Sequence, residues 1–266
     1  TSSNPTPFMS HISFNPFLAF TIYVVIHEVL FNKKLNKLML GLYSFFSVAL
    51  IFNMFITGGR AGQVVFFVMI IILILQYFQK QKLKAIIATI ILLPAIFITA
   101  YHTSPIFNQR ANLAFQELVK YDKNRVAINQ SVVSSVGARI LFANNSWAVI
   151  KENSLLGVGT GDFPTEYLRI NVINSPTSPS VTNPHNMYLL VLVQSGIVGL
   201  LSMLSIFYYQ IKLSFKESNR FFCDLGFALP LLFLVIMLSD SYLLGHYTSL
   251  LFVFFSSFLY KNFEKD

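Results

Sequence analysis

The stretch Lys33-Lys34-Leu35-Asn36-Lys37, followed by LMLGLYSFFSVALIFNMFIT from Leu38 to Thr57, decides the fold class. Three lysines stand before a run that contains no charged side chain. About 20 apolar residues are what an α-helix needs to cross a hydrocarbon layer. The same arrangement recurs along the chain. Phe17 to Phe31, Gln63 to Phe78, Ala85 to Tyr101, Tyr188 to Ile211, Phe221 to Ser239 and a last run ending at Tyr260 predict, with Leu38 to Thr57, seven spans. The chain is thus expected to be all-α: a polytopic helical membrane protein.

Composition agrees. Of 266 residues 55% are hydrophobic and 11% charged, with a mean hydropathy of +0.62; soluble proteins carry roughly 25% charged residues. The net charge of +8 does not read as a nucleic-acid face. Lys33, Lys34 and Lys37, then Lys80, Lys82 and Lys84, then Lys212, Lys216 and Arg220 fall in short links between apolar runs. That is a topology signal. With the first cluster cytoplasmic, seven spans put every lysine-rich link and the Lys261–Asp266 tail on that side. Arg60, the segment from His102 to Asn186 and the Asp240–Gly245 link then fall on the other. The domain plan that follows is 1–101 with spans one to four, 102–186 as an external loop domain, and 187–266 with spans five to seven and a cytoplasmic tail. The chain begins at Thr1 without Met or a signal peptide, which leaves open further spans upstream.

Within the long segment, Ile106 to Val126 and Ser134 to Asn153 carry apolar residues at helical spacing and predict two helices. Turn-forming residues follow, ending in the Pro- and Ser-rich Asn174 to Pro184. Two Asn-x-Ser sequons begin at Asn129 and Asn144. His27 and Glu28, near the end of the first span, are expected at the interface.

Four features can carry chemistry. Asn183-Pro184-His185-Asn186-Met187-Tyr188-Leu189-Leu190 is the seam between the polar loop and an apolar run. A histidine there is either a general base, since neutral imidazole takes up a proton near physiological pH, or an interfacial residue without a role. Arg60, in Gly58-Gly59-Arg60-Ala61-Gly62, has the planar fork that suits phosphate oxygens, although it could equally snorkel or pair with Asp240. Arg139 offers the same fork in the loop, as do Arg110, Arg125 and Arg169. Gly157-Val158-Gly159-Thr160-Gly161-Asp162-Phe163 lacks the spacing of a dinucleotide fingerprint and the Lys-Ser/Thr of a P-loop. It reads as a turn that lets backbone approach another helix or a substrate. The single Cys223 forms no disulfide within the chain, and no Cys or His cluster has metal-ligand spacing.

Arg139, Trp147, the Leu156–Phe163 glycine turn, Pro184-His185-Asn186-Met187-Tyr188-Leu189 and Gln194-Ser195-Gly196-Ile197-Val198-Gly199-Leu200, in that order, resemble the O-antigen ligase and polymerase superfamily. The Arg60 turn resembles its Ser-Arg-x-Gly motif, with Gly59 in place of the serine. The resemblance spans roughly Leu38 to Tyr260. It implies an inverting, metal- and cofactor-independent glycosyltransferase of the bacterial inner membrane, working on the periplasmic face. The donor would be a glycan on undecaprenyl diphosphate and the acceptor the lipid A core or a second glycan. His185 would be the catalytic base, Arg60 and Arg139 would hold the diphosphate, and Asn186, Gly159, Gly161 and Asp240 would support them. Ligase is the leading expectation; polymerase and protein glycosyltransferase are the alternatives within the family. A transporter is the alternative from another class, against which stand the mostly clean apolar runs and the lack of an internal repeat.

Overall fold

A computed structural model describes residues 8–119 and 135–260. Among them are ten helices and no strand: α1 (His11–Phe31), α2 (Lys37–Ile56), α3 (Arg60–Tyr77), α4 (Lys82–Thr103), α5 (Pro105–Val119), α6 (Ser135–Glu152), α7 (Phe163–Asn174), α8 (Met187–Ser214), α9 (Arg220–Ile236) and α10 (His246–Leu259). Five of these (α1, α2, α3, α4 and α8) are long and apolar enough to cross a membrane. Helices α9 and α10 are shorter, at 17 and 14 residues, so length alone carries five crossings where the apolar runs suggest seven. The described residues fall into two compact units. The first takes those of Thr1–Ala111, Gln210–Ile236 and Gly245–Asp266; the second takes those of Asn112–Tyr209 and Met237–Leu244.

In the first unit α1 packs against α2 and α3, and α9 packs against α1, α3 and α10. Ala19, Ile22 and Tyr23 of α1, Phe66 and Met69 of α3, and Leu229, Leu232 and Phe233 of α9 are buried there. Helices α2 and α4 are different. Only 17% of the apolar window of α2 and 11% of that of α4 is buried inside the protein. Leu38, Phe45, Val48 and Phe52 on α2, and Leu83, Ile90 and Ile91 on α4, stand exposed. An apolar surface of that extent is not stable in water, and it is what a helix facing lipid presents.

Helix α1 begins at His11, six residues before the apolar run does. Pro16, which has no N–H to donate, lies inside it. The polar start is accommodated because Asn15 is wholly buried, its Nδ2 donating to the Gly58 carbonyl at 2.9 Å. His27 is also not at an open interface: it is 2% exposed, and its Nε2 lies 2.9 Å from Asp224 Oδ2 on α9. Around that pair, Gln76 Nε2 donates to the Asp224 carbonyl at 3.1 Å and the Tyr23 hydroxyl donates to Gln76 Oε1 at 2.8 Å. Arg220 donates to Asp224 Oδ2 at 3.3 Å and to the Gln76 carbonyl at 2.8 Å, and lies 4.0 Å above the Phe31 ring. The network ties α1, α3 and α9 together.

Removing one member of such a buried pair strands the other. Asp224→Ala is therefore expected to cost about 3–5 kcal/mol, lowering the thermal midpoint of the purified protein and its abundance in membranes. Arg169→Ala, which removes only solvent-screened exposed pairs to Glu152 and Glu166, should leave the thermal midpoint nearly unchanged. Equal thermal midpoints for the two variants would contradict this account of the bundle.

Candidate functional site

The His-Asn seam lies in the second unit, where it docks onto the link that follows α9. Asn183 precedes a proline, which favours extended backbone. Its Oδ1 accepts the N–H of His185, two residues on, at 2.8 Å, an Asx-turn. The same oxygen accepts the Ser241 hydroxyl at 2.8 Å. Asn186 Nδ2 donates to the Leu238 carbonyl at 3.1 Å, and the Met187 N–H to the Met237 carbonyl at 2.9 Å. Asn186 also caps α8, its Oδ1 accepting the Leu189 N–H at 3.1 Å.

This docking holds His185 at φ +51, the one positive-φ residue other than glycine among the described residues. Non-glycine residues avoid that region because Cβ crowds the following carbonyl, and such strain collects at functional positions. His185 Nδ1 lies 3.2 Å from Asp240 Oδ1. A carboxylate only accepts, so Nδ1 carries a proton here, and in the neutral imidazole Nε2 is then the nitrogen with the lone pair. The His185 side chain is 43% exposed and Asp240's 18%: the orienting group is covered and the imidazole is open. Asp240 is itself held by the Ser241 N–H at 2.7 Å, and the Phe142 ring lies 6.0 Å from the imidazole.

Tyr242, not singled out by the sequence reading, is buried beside this pair. Burial pushes its hydroxyl up to about 12. A hydrogen bond with Ser239 opposes that, the Asp240 charge adds to it, and the Arg139 charge opposes it. Arg139, exposed on α6, is thus within electrostatic reach of the link that carries Asp240. The structure brings His185, Asp240, Asn186 and Arg139 into one unit. Arg60 is the first residue of α3 in the other unit, half-buried, after Gly59 at φ +128. His246 is exposed at the start of α10, also in the first unit. Arg125 lies outside the described residues, as do Asn129 and residues 120–126 of the first expected loop helix.

The glycine turn does approach another helix, and it does so by exchanging backbone hydrogen bonds. Helix α8 is not continuous: Gly196 takes φ 60, ψ −161. The N–H groups of Ile197 and Val198, which a regular helix would aim at Val193 and Gln194, donate instead to Ser154 and Leu155. The released Val193 and Gln194 carbonyls accept from Val158 and Gly159 at 2.9 and 3.0 Å. A Cβ on Gly157 would sit 2.4 Å from the Gln194 carbonyl carbon, and one on Gly196 would sit 2.2 Å from the Leu155 oxygen. These two glycines make the approach. Gly159 contributes its N–H at φ +117; Gly161, at φ +92, has open space where a Cβ would go. The signal for the break was present in Gln194-Ser195-Gly196.

A third loop helix, α7, follows the turn. Pro164 in its first turn fits a helix start, and Phe163, Tyr167 and Ile170, at helical spacing, are buried. Asn145 of α6 donates to Asn171 Oδ1 at 3.1 Å and to the Tyr167 hydroxyl at 3.3 Å. Burial raises the Tyr167 hydroxyl above its ordinary range, the Asn145 contact acting against it. Phe142 bridges Tyr167 and His185, at 6.3 and 6.0 Å between ring centres, so α7 reaches the imidazole through one aromatic ring. Among the described residues no group of three or more His, Cys, Asp or Glu side chains is placed to hold a metal ion.

The O-antigen ligase family sequence profile matches residues 45–204, which take in α3, the glycine turn, the His185 seam and the break in α8. The chain belongs to the O-antigen ligase family. It is also 30% identical over 207 residues to an uncharacterized protein of Haemophilus influenzae, a match covering 75% of this chain and 49% of that protein. The chain thus spans about half the length of the curated relative it matches. Within the ligase-family region the two kinds of glycine separate by test. Gly196→Ala, which meets the Leu155 carbonyl, is expected to abolish accumulation in membranes. Gly161→Ala meets nothing and should cost only backbone strain, about 1–3 kcal/mol. Comparable abundance of the two variants would remove the backbone exchange from this account.

Proposed function

We propose that this chain carries out O-antigen ligation, transferring a glycan from undecaprenyl diphosphate to the lipid A core, at the periplasmic face of a seven-span bacterial inner-membrane protein. One observation carries the reading: His185, at a strained φ, is oriented through Nδ1 by a covered carboxylate and keeps Nε2 open. That is the arrangement in which an imidazole serves as a base while a carboxylate stabilises the imidazolium that forms. In the step, the acceptor hydroxyl oxygen bonds to the anomeric carbon from the face opposite the diphosphate. His185 Nε2 takes the hydroxyl proton, the bond from the anomeric carbon to the diphosphate oxygen breaks, and the anomeric configuration inverts. The leaving diphosphate gains charge, which Arg60 and Arg139 are suited to hold in bidentate fashion. Asn186 fixes the seam that carries the base, and Gly159 and Gly161 belong to the turn that engages α8 further along its length. Polymerisation would use the same donor and base with a second lipid-linked glycan as acceptor.

His185→Ala is expected to lower transfer by about 10²–10⁴ with normal accumulation, and Asp240→Asn to fall between it and the unaltered protein. Retained transfer in His185→Ala would end this proposal. In a deletion strain, loss of glycan from the lipid A core with lipid-linked polymer accumulating supports ligation. A core bearing only a single glycan unit points to polymerisation.

Topology has its own check. In a Cys223→Ser background, Ser180→Cys should react with a membrane-impermeant maleimide in cells with a permeabilised outer membrane, and Lys82→Cys should not. Equal labelling at both positions is incompatible with the seven-span arrangement and a periplasmic site.

A further inference from the structure

We infer that Asn15 is a positioning residue that sets the turn from which Arg60 projects; this deepens the reading of Arg60 as a diphosphate-binding group and rests on it. Asn15 lies on α1, far from Arg60 in sequence, and is 0% exposed. Its Nδ2 donates to the Gly58 carbonyl at 2.9 Å and lies 3.4 Å from the Gly59 carbonyl. Gly59 is the N-cap of α3 at φ +128, a conformation for glycine. A Cβ there would lie 2.5 Å from Asn15 Nδ2, and a Cβ on Gly62 would lie 2.1 Å from Asn15 Cβ. The two glycines on either side of Arg60 thus make the space that the one amide fills. Gln63, also buried, donates to the Thr57 carbonyl at 3.4 Å on the other flank. The backbone on both sides of residue 60 is thus held, and with it the direction in which the Arg60 Cα–Cβ bond leaves.

Packing alone does not account for the amide. Among the described residues Asn15 Oδ1 is buried with no hydrogen-bond partner, which costs stability and which an apolar side chain of similar size would avoid. Fixing two consecutive carbonyls at the start of α3 requires a donor, and Nδ2 is that donor.

The test uses the full-length protein in detergent, with undecaprenyl diphosphate as the probe. Asn15→Asp keeps the shape but removes the donor, and Asn15→Ser serves if Asn15→Asp does not accumulate. Affinity for the probe should fall roughly ten- to a hundred-fold in either variant, with Arg60→Ala falling at least as far. The decisive arm is the double variant. Because the two residues act as a unit, Asn15→Asp, or Asn15→Ser in its place, should add little to the loss in Arg60→Ala. Full additivity, or unaltered affinity in the Asn15 variants while Arg60→Ala binds weakly, overturns this inference alone. Unaltered affinity in Arg60→Ala overturns the reading of Arg60 and this inference with it.

Discussion

A backbone carbonyl released from a helix in an apolar layer has no water to accept from, so it must find another donor in the protein. Donors from distant segments likewise meet the backbone at three irregular points of this structure. At Gly196 the helix stops, and the four backbone groups set loose are taken up by a loop that itself needs partners. At Gly58 and Gly59 the turn into α3 is met by a side-chain amide from α1. At the His185 seam, carbonyls of the link after α9 take donors from Asn186 and Met187. Each departure from regular helix is closed by a partner from a distant part of the sequence.

The geometry of the base follows from the same closure. His185 does not reach φ +51 by its own preference; Asn183 and the link hold it there, and Asp240 arrives on the link. Orientation of the imidazole is thus a property of two chain segments more than fifty residues apart. A side chain on a freely solvated loop would have no such constraint.

How much of this was legible in the sequence depends on how local the signal is. Helices α2 and α4 were readable because lipid exposure leaves their apolar runs uninterrupted. The seam at His185 was readable because the asparagines and the proline act within a few residues. What pairs across the chain was not. His27 meets Asp224, 197 positions away, and a buried pair looks the same in sequence as an interfacial one. The break at Gly196 is marked in sequence only by Gln194-Ser195-Gly196, because the bonds that permit it come from residues 154–159. Helix α7 has its period in Phe163, Tyr167 and Ile170, but the turn-formers on both sides of so short a helix mask it. Asp240 was named for its place on the external link, but its distance to His185 needed the fold.

The exchange between the glycine turn and α8 also bears on how this region opens. Hydrogen exchange proceeds through cooperative units whose members lose protection together. The amides of Val158, Gly159, Ile197 and Val198 are expected to exchange as one such unit, because their hydrogen bonds join the same two short stretches of backbone. Two stretches distant in sequence would then share one opening free energy.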